Sequence, residues 1–193
     1  MSTVPDKPLR KDAQRNRDKL VAAATELFAA EGPDVSLEAV ARAAGTGIGT
    51  LYRNFPTRDD LIEAVYRTEV AALGEAAEAL LAEHEPDVAL ERWMDRYLAY
   101  VATKRGLGEA LRKIAASSAP DLLGGAKAGL MDALDRILAA GVERGTFRSD
   151  VEAGDVLRAM NAVWMLETGA PEGEQQARTI LKLVRDGLRF GAG

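Results

Sequence analysis

The chain has 193 residues, 47% of them apolar and 28% charged, a composition typical of a folded globular protein. With no cysteine and one histidine, His84, the sequence excludes disulfides, thiolate metal sites and multi-histidine metal sites. The net charge of -5 argues against coating of nucleic acid through bulk charge, although residues 1–58 carry a net +2 and the remainder a net -7.

The first 11 residues contain two prolines and no helical period, so a flexible arm is predicted there. This start lacks the apolar core of a signal peptide, and no run approaches the roughly 18 apolar residues that a membrane span requires. We therefore expect a cytoplasmic protein that makes no membrane contact.

The rest of the chain has helical periodicity, and the alternating runs typical of strands are absent. An all-α fold is therefore predicted. The first helix is expected over residues 13–30 and to end before Gly32. Its apolar stripe consists of Leu20, Val21, Ala24, Leu27 and Phe28. The basic residues Lys11, Arg15 and Arg17 fit either a solvated face of this helix or contacts with phosphate.

Two short helices follow, at residues 37–44 and 46–55. Ser36 is a good N-cap for the first, Gly45 permits a left-handed turn, and Thr46 is expected to cap the second. Ala41, four residues before Gly45, is small enough for a tight helix crossing. This spacing predicts a helix-turn-helix motif whose second helix enters the major groove of DNA.

On a helical wheel, the second short helix has an apolar side and a polar side. Ile48, Leu51 and Phe55 share the inner face, Gly49, Thr50 and Arg53 lie opposite, and Tyr52 and Asn54 lie on the flanks. Glycines at 47 and 49 would let the backbone approach base edges or phosphates, which Thr50 and Arg53 could contact. An ordinary short core helix is the alternative interpretation of this segment taken alone.

Thr57 and Asp60 form a capping box that predicts a longer fourth helix. Arg58, in its first turn, is placed to add charge where exposed amides favour an anion. The buried stripe of this helix is expected to consist of Leu61, Val65, Leu73, Ala77 and Leu80.

Five more helices are predicted at residues 88–104, 107–116, 121–144, 151–167 and 174–190, separated by breaks rich in glycine, proline or serine. The predicted organisation is a flexible arm at 1–11, a helix-turn-helix DNA-binding domain at 12–56, and a larger helical domain at 57–193, here called the body.

Within the body, Trp93, Tyr97 and Tyr100 share one helical face. Such a stripe is usually core. The functional alternative is that these residues, with His84, line a cavity for an apolar or aromatic effector.

The last two helices carry strong apolar stripes that include Met160, Trp164, Ile180, Leu181, Val184 and Leu188. These side chains fit either a core within one chain or a four-helix bundle across a two-fold axis.

Residues 20–62, which contain "ELF", "AAEG", "VARAAG", "GTLYRNF" and "TRDDL" in order, resemble the DNA-binding domain of the TetR family of bacterial transcriptional regulators. This resemblance implies a dimeric, repressor-like protein with about nine helices, a ligand pocket in the body and a dimer interface from the last two helices. The DNA contacts that it implies fall on Ser36, Thr46, Gly47, Gly49, Thr50, Tyr52, Arg53 and Arg58. Gly47 and Asn54 depart from the residues common at their positions, which affects the operator sequence expected.

The function predicted is a ligand-responsive homodimeric regulator that leaves a pseudo-palindromic DNA operator when a small-molecule effector binds. No cofactor, metal or enzymatic activity is expected, because the sequence offers no phosphate-binding glycine motif and no acid-base constellation. The alternatives are a helical small-molecule carrier or enzyme with a vestigial helix-turn-helix, and a dimeric protein that binds DNA without an effector.

Overall fold

The computed structural model describes residues 7–32, 34–117, 119–166 and 171–189, and this part of the chain is all-α, as predicted. Eight α-helices occur in chain order, with a short 3-10 helix at Asn161–Met165 between the last two. Their bounds are α1 Lys7–Glu31, α2 Leu37–Ala43, α3 Ile48–Asn54, α4 Arg58–Glu83, α5 Pro86–Ser117, α6 Leu122–Glu143, α7 Ala153–Met160 and α8 Pro171–Arg189.

The helices form two compact units. Unit 1 is the described part of Met1–Thr68 together with Thr103–Pro120, and unit 2 is the described part of Glu69–Ala102 and Asp121–Gly193. Both α4 and α5 contribute residues to each unit. The functional domains predicted at 12–56 and 57–193 stay a prediction, because these contacts concern compactness and not function.

Helix α1 begins at Lys7, earlier than the residue 13 expected, so residues 7–11 of the predicted arm are helical. Pro8 is compatible with this start. The backbone N–H groups of the first helical turn have no partner within the helix, so a proline there loses no hydrogen bond. The remaining arm residues, 1–6, lie outside the described part of the chain. The predicted apolar stripe of α1 is buried apart from Leu27, which is half-buried.

Helix α4 follows its sequence pattern closely. The backbone N–H and the hydroxyl of Thr57 both donate to Asp60 Oδ2, at 2.8 and 2.7 Å, and the N–H of Asp60 donates back to Thr57 Oγ1 at 3.1 Å. The capping box is therefore confirmed. The predicted stripe is confirmed too, because all five of its residues are buried: Leu61, Val65, Leu73, Ala77 and Leu80.

The prediction of two helices at 88–104 and 107–116 is wrong, because α5 continues from Pro86 to Ser117 through Gly106 and Gly108. Each glycine costs roughly 1 kcal/mol relative to alanine within a helix. Leu107, Leu111 and Ile114 are fully buried on the continued helix, and each such burial contributes about 1.5–3 kcal/mol. Packing therefore outweighs the two glycines.

The C-terminal helices differ from prediction in two places. The segment expected at 151–167 becomes α7 and the 3-10 helix, while α8 starts at Pro171 instead of residue 174. Proline is well tolerated at the start of a helix. The core of unit 2 includes Trp93, Tyr97, Leu134, Ile137 and Met160.

Candidate functional site

Helices α2 and α3 form the predicted helix-turn-helix in unit 1. Ser36 caps α2, and its Oγ accepts the backbone N–H of Ala39 at 3.1 Å. Gly45 has the expected left-handed conformation, with φ of 65°, and its N–H donates to Arg42 O. The predicted cap and turn are thus confirmed. Because a hydroxyl can donate as well as accept, the capping bond does not prevent Ser36 from reaching a phosphate.

Thr46 does not cap α3, contrary to expectation. Gly47 occupies the N-cap position and makes no side-chain capping bond. The hydroxyl of Thr46 donates instead to Ala41 O at 3.4 Å, and the Thr46 N–H donates to the same oxygen at 2.9 Å. Thr46 therefore closes the turn between the helices, and only Gly49 of the two glycines lies within α3.

Two side chains anchor α3. Leu51 is 0% exposed and Phe55, just past the end of the helix, is 1% exposed. Ile48, predicted on the same inner face, is 37% exposed. Ile48 is the first residue of the helix, where the chain has only just left the turn. Ile48 therefore adds its apolar side chain to the exposed surface instead of the core.

The outer face of α3 has the character predicted from the wheel. Gly49, Tyr52 and Arg53 are exposed and Thr50 is half-buried. The guanidinium of Arg53 lies back along its own helix: Nε donates to Gly49 O at 3.1 Å and Nη2 donates to Thr50 Oγ1 at 3.2 Å. Asn54 donates to Thr50 O at 2.8 Å. The helix thus presents a hydroxyl, a phenol and a guanidinium on one short surface.

The two glycines at this surface are not required by packing within the chain. A Cβ built on Gly47 or Gly49 meets no atom within 4 Å, and neither residue has a positive φ. Gly47 is at the N-cap of α3, where glycine is one of the favoured residues. No contact among the described residues of unit 1 explains why a larger residue is absent at Gly49, and close approach by another molecule would explain it.

Arg58 differs in placement from the other predicted contacts. Its Nη1 donates to Val35 O at 2.7 Å, so the side chain ties the first turn of α4 to the loop before α2. Sequence reasoning also missed a second arginine contact in this unit. Arg17, on α1, lies over the ring of Phe55. No sequence pattern marks that contact, because the two residues are far apart in the chain.

In unit 2, Trp93, Tyr97, Tyr100 and Trp164 form one aromatic cluster. Successive rings have centroid separations of 6.0, 5.9 and 6.4 Å, the last with the rings edge to face. Asn161 belongs to the same network, because the Tyr97 hydroxyl donates to its Oδ1 at 2.8 Å. The three predicted pocket aromatics therefore lie together, but they are buried and packed on one another.

Hydrogen bonds bind this cluster to the surrounding helices. Trp93 Nε1 donates to Leu73 O at 2.9 Å, and Trp164 Nε1 donates to the Tyr97 hydroxyl at 3.2 Å. Burial raises the pKa of Tyr97, and the hydrogen bond from Trp164 opposes that rise. Sequence analysis placed Trp164 in the dimer interface, but a half-buried Trp164 bonded to Tyr97 also supports the core of its own chain.

The fourth predicted pocket residue, His84, is half-buried. Its Nε2 is buried and has no hydrogen-bond partner among the described residues, and it lies 3.8 Å from Glu83 Oε2.

Cavities of unit 2 lie away from the four predicted pocket residues. One of about 210 Å³ lies between α5 and α8, with a floor that includes Met94, Leu98 and Leu181. The other, about 680 Å³, is an open groove between α6 and α7. Neither is lined by the four residues predicted for the effector pocket.

The residues predicted for the dimer interface divide into two groups. Met160, Leu181 and Leu188 are buried within their own chain, whereas Trp164, Ile180 and Val184 are half-buried. The most exposed apolar side chains of this region are instead Met165, 89% exposed, and Leu183, 68% exposed. Neither residue was predicted from the sequence as part of the interface.

Within the described residues, no group of three or more histidine, aspartate or glutamate side chains is arranged to hold a metal ion. None of the helices in that part of the chain combines the length and apolar character needed to span a bilayer.

Two family models match the chain. The model described as "Bacterial regulatory proteins, tetR family" matches residues 20–65, and the one described as "Transcriptional regulator SbtR-like, C-terminal domain" matches residues 85–190. The first covers the helix-turn-helix, and the second covers more than half of the chain.

Solved structures and curated proteins agree with these matches. The TetR transcriptional regulator SCO0520 from Streptomyces coelicolor is 43% identical, with a TM-score of 0.82 over 90% of this chain and 98% of that one. The TetR transcription regulatory protein from Mycobacterium vanbaalenii is 33% identical, with a TM-score of 0.75 over 94% and 99%.

An HTH-type transcriptional regulator of Staphylococcus aureus is 38% identical over 63 residues, which are 32% of this chain and 34% of that protein. The match thus spans about a third of this curated relative. Together with the two family models and the matches over nearly whole solved chains, it shows that the chain belongs to the TetR family of bacterial transcriptional regulators.

Proposed function

We propose that this protein is a homodimeric repressor that binds a two-fold-symmetric DNA operator through α3 and leaves it when a small molecule binds the body. The observation that carries this proposal is the outer face of α3, where Thr50, Tyr52 and Arg53 stand on a helix anchored by Leu51 and Phe55. A hydroxyl, a phenol and a guanidinium suit contacts with phosphates and base edges of a major groove.

The glycines of this face support the same function. Gly49 costs roughly 1 kcal/mol relative to alanine in a helix interior, and a Cβ there would meet open space. A regulator gains from such a residue if the helix backbone comes close to the DNA. The predicted contact set is therefore retained as a proposal: Ser36, Thr46, Gly47, Gly49, Thr50, Tyr52, Arg53 and Arg58.

A dimer follows from the symmetry of the DNA target. Two copies of α3 can occupy successive major-groove half-sites about 34 Å apart, or a multiple of that distance, only if two chains associate. We place the interface on α8, where Leu183 is 68% exposed beside the half-buried Ile180 and Val184. Met165 and Trp164 lie close before this helix in the chain and extend the apolar surface proposed.

Regulation by a small molecule is proposed from the fold. The regulator LfrR from Mycobacterium smegmatis, which is 21% identical and has a TM-score of 0.60, was solved in complex with proflavine. In this chain we retain His84, Trp93, Tyr97 and Tyr100 as candidate effector contacts. Because the three aromatics pack on one another, an effector would have to separate their rings or bind at their edge.

Coupling between effector and DNA needs a difference in affinity between two arrangements of the protein, typically about 1–3 kcal/mol. Helix α4 is the candidate carrier, because it begins beside the helix-turn-helix at Arg58 and continues to Glu83 in unit 2. A shift of α4 would change the separation of the two α3 helices. We place this activity in the cytoplasm, where operator DNA is found.

The first test is selection of binding sites from fragmented DNA of the source genome by the purified protein. We expect enrichment of a two-fold-symmetric motif, bound with an affinity that falls steeply as salt rises. Sequencing of the bound fragments measures the first outcome, and titrations at two salt concentrations measure the second. Absence of any enriched two-fold-symmetric motif would contradict the proposal.

The second test concerns the effector. Compounds that raise the melting temperature of the protein are found by screening, since a ligand of the folded state stabilises it. A hit is then added to the complex of the protein with its selected operator. Release of the DNA supports the repressor proposed. Hits that stabilise the protein but leave its operator affinity unchanged would favour a DNA-binding protein without an effector.

A further inference from the structure

Arg17 lies on the inner side of α1. It precedes Leu20, Val21 and Ala24 by three, four and seven residues, so it continues their buried stripe by one turn. The side chain is half-buried, and its Cζ lies 4.4 Å from the centroid of the Phe55 ring. Arg17 therefore faces the end of α3 instead of the solvent.

Two features of the α3 terminus attract this guanidinium. A cation within about 6 Å of an aromatic face is drawn to the ring, more strongly where water is excluded, and Phe55 is 1% exposed. The last carbonyls of a helix lack partners and carry partial negative charge. Arg17 Nη1 points to one of them, with the oxygen of Asn54 at 3.5 Å.

The remaining anchors of α3 are few. The helix has seven residues, Leu51 is its one buried residue, and Ile48 at its start is 37% exposed. Phe55 supplies the second anchor from just beyond the helix. The orientation of the last turn therefore depends on Leu51, on Phe55 and on what holds Phe55. The side chains of Tyr52 and Arg53 project from that same turn.

We propose that Arg17 is a positioning residue for DNA recognition, which clamps the C-terminal turn of α3 and so fixes the direction in which Tyr52 and Arg53 point. This inference rests on the proposed function of α3 as the DNA-reading helix. Arg17 acts from behind the helix and does not contact DNA. The clamp uses the planar guanidinium, which covers a ring face in a way that the compact ammonium of lysine does not.

A contact between Arg17 and a DNA phosphate is the competing role, and Arg15 supplies the matched control. Arg15 is on the same helix, its side chain is 68% exposed, and its only ion pair among the described residues is with Asp12 at 3.7 Å. Arg15→Gln and Arg17→Gln remove the same charge from α1. Any difference between the two variants comes from the surroundings of the side chain and not from net charge.

The experiment compares Arg17→Gln, Arg17→Lys and Arg15→Gln with the wild type. Affinities are measured for the selected operator and for a scrambled duplex of equal length, each at two salt concentrations. We expect Arg17→Gln to lower the ratio of specific to non-specific affinity about tenfold relative to Arg15→Gln, with the same salt slope. Arg17→Lys should keep the non-specific affinity while its ratio stays below that of the wild type.

A phosphate contact gives a different pattern. Loss of a phosphate contact in Arg17→Gln would lower both affinities together and reduce the salt slope by about one, and Arg17→Lys would restore both affinities. That pattern overturns the positioning role, as would an unchanged affinity ratio in Arg17→Gln.

Amide hydrogen exchange in the free protein tests the clamp without DNA. The N–H of Phe55 donates to Leu51 O at 2.8 Å and thus reports on the last turn of α3. We expect this amide to exchange faster in Arg17→Gln, while the amides of α2 keep their wild-type rates. Equal exchange at Phe55 would overturn the clamp. If the wild type selects no operator, the DNA-binding proposal fails, and this measurement still decides whether Arg17 holds α3.

Discussion

In the proposed complex, Arg53 is the residue that we expect to distinguish one DNA sequence from another. In the free protein its guanidinium bonds to Gly49 O and Thr50 Oγ1 on its own helix. Both bonds are exposed to solvent, where water can replace them at little net cost. Arg53 can therefore turn outward to a base edge without disturbing the core beneath Leu51.

Arg53→Ala should weaken operator binding by about 1–3 kcal/mol and relax the preference at one base pair, if the guanidinium bonds guanine. The measurement is a titration against the operator and its single-base variants. Arg136→Ala is the control, because Arg136 lies on α6 with its side chain 62% exposed. An equal loss on every duplex would assign Arg53 to phosphate, and no loss on any would remove it from the site.

Tyr97 is the residue on which the aromatic cluster of unit 2 depends. Its hydroxyl donates to Asn161 and accepts from Trp164, and its ring lies between those of Trp93 and Tyr100. Burial raises the pKa of Tyr97, so the folded protein keeps this proton at a pH where the unfolded chain loses it. The resulting contribution to stability is complete below about pH 10 and falls as the pH rises through the folded-state pKa.

Tyr97→Phe should lower the free energy of unfolding by about 1–2 kcal/mol at neutral pH, because it removes the hydrogen bonds of the Tyr97 hydroxyl with Asn161 and Trp164. The variant should also lose less stability than the wild type above about pH 10. Urea unfolding at several pH values measures both effects. Tyr52→Phe, at a residue that is 48% exposed, serves as the control. An alkaline loss that is as steep in Tyr97→Phe would contradict this explanation.

At the scale of the helices, the sequence predicted capping residues and turns better than it predicted where a helix continues without a break. Ser36, Gly45 and the pair Thr57 and Asp60 act within three or four residues of chain, so their roles are visible in the sequence. The break predicted at Gly106 failed because the long-range burial of Leu107 outweighs the glycine cost. Propensity alone carries no information about such burial.

The same limit applies to the candidate site. The wheel placed Gly49 and Arg53 on the exposed side of α3, but it put Ile48 on the inner face, where the side chain is 37% exposed. It could not predict the contact of Arg17 with Phe55 or that of Tyr97 with Asn161, because each contact depends on how separate helices pack. The sequence thus predicts most of the exposed face of α3, whereas the contacts that support this face depend on packing between helices.

The capping box at the start of α4 offers a prediction at this scale. Thr57→Val removes the hydroxyl that accepts the Asp60 N–H and should destabilise the protein by about 1 kcal/mol. Thr68→Val makes the same chemical change at an exposed position within α4 and is the control. Thermal unfolding followed by circular dichroism compares the two. Equal melting temperatures in both variants would mean that the capping bond contributes nothing to stability.

At the scale of the whole molecule, the proposed dimer depends on an apolar surface that one chain leaves exposed. Leu183 is next to Lys182 in sequence, but the two side chains point about 100° apart on the helix. Lys182 lies toward α5, where it lines a cavity. Leu183 is 68% exposed and Val184 is half-buried. The proposed dimer would cover these two apolar side chains.

Leu183→Glu should weaken the dimer by about 2 kcal/mol or more, because it places a charge within an apolar interface. Sedimentation velocity over a range of concentrations measures this effect, and operator affinity should fall with the dimer population. Lys182→Glu changes the charge of the same helix by a larger amount and should leave the dimer intact. A wild-type protein that is monomeric at micromolar concentration would contradict the dimer itself.

Both tryptophans of the chain, Trp93 and Trp164, belong to the aromatic cluster of unit 2, whereas unit 1 contains none. Tryptophan emission is therefore an optical signal of unit 2 alone, and it comes from rings that contact the tyrosine rings of the candidate effector site. A compound that enters the cluster should alter that emission in the unlabelled protein. Circular dichroism records the helices of both units, so any difference between the two unfolding curves would reveal the order in which the units lose structure.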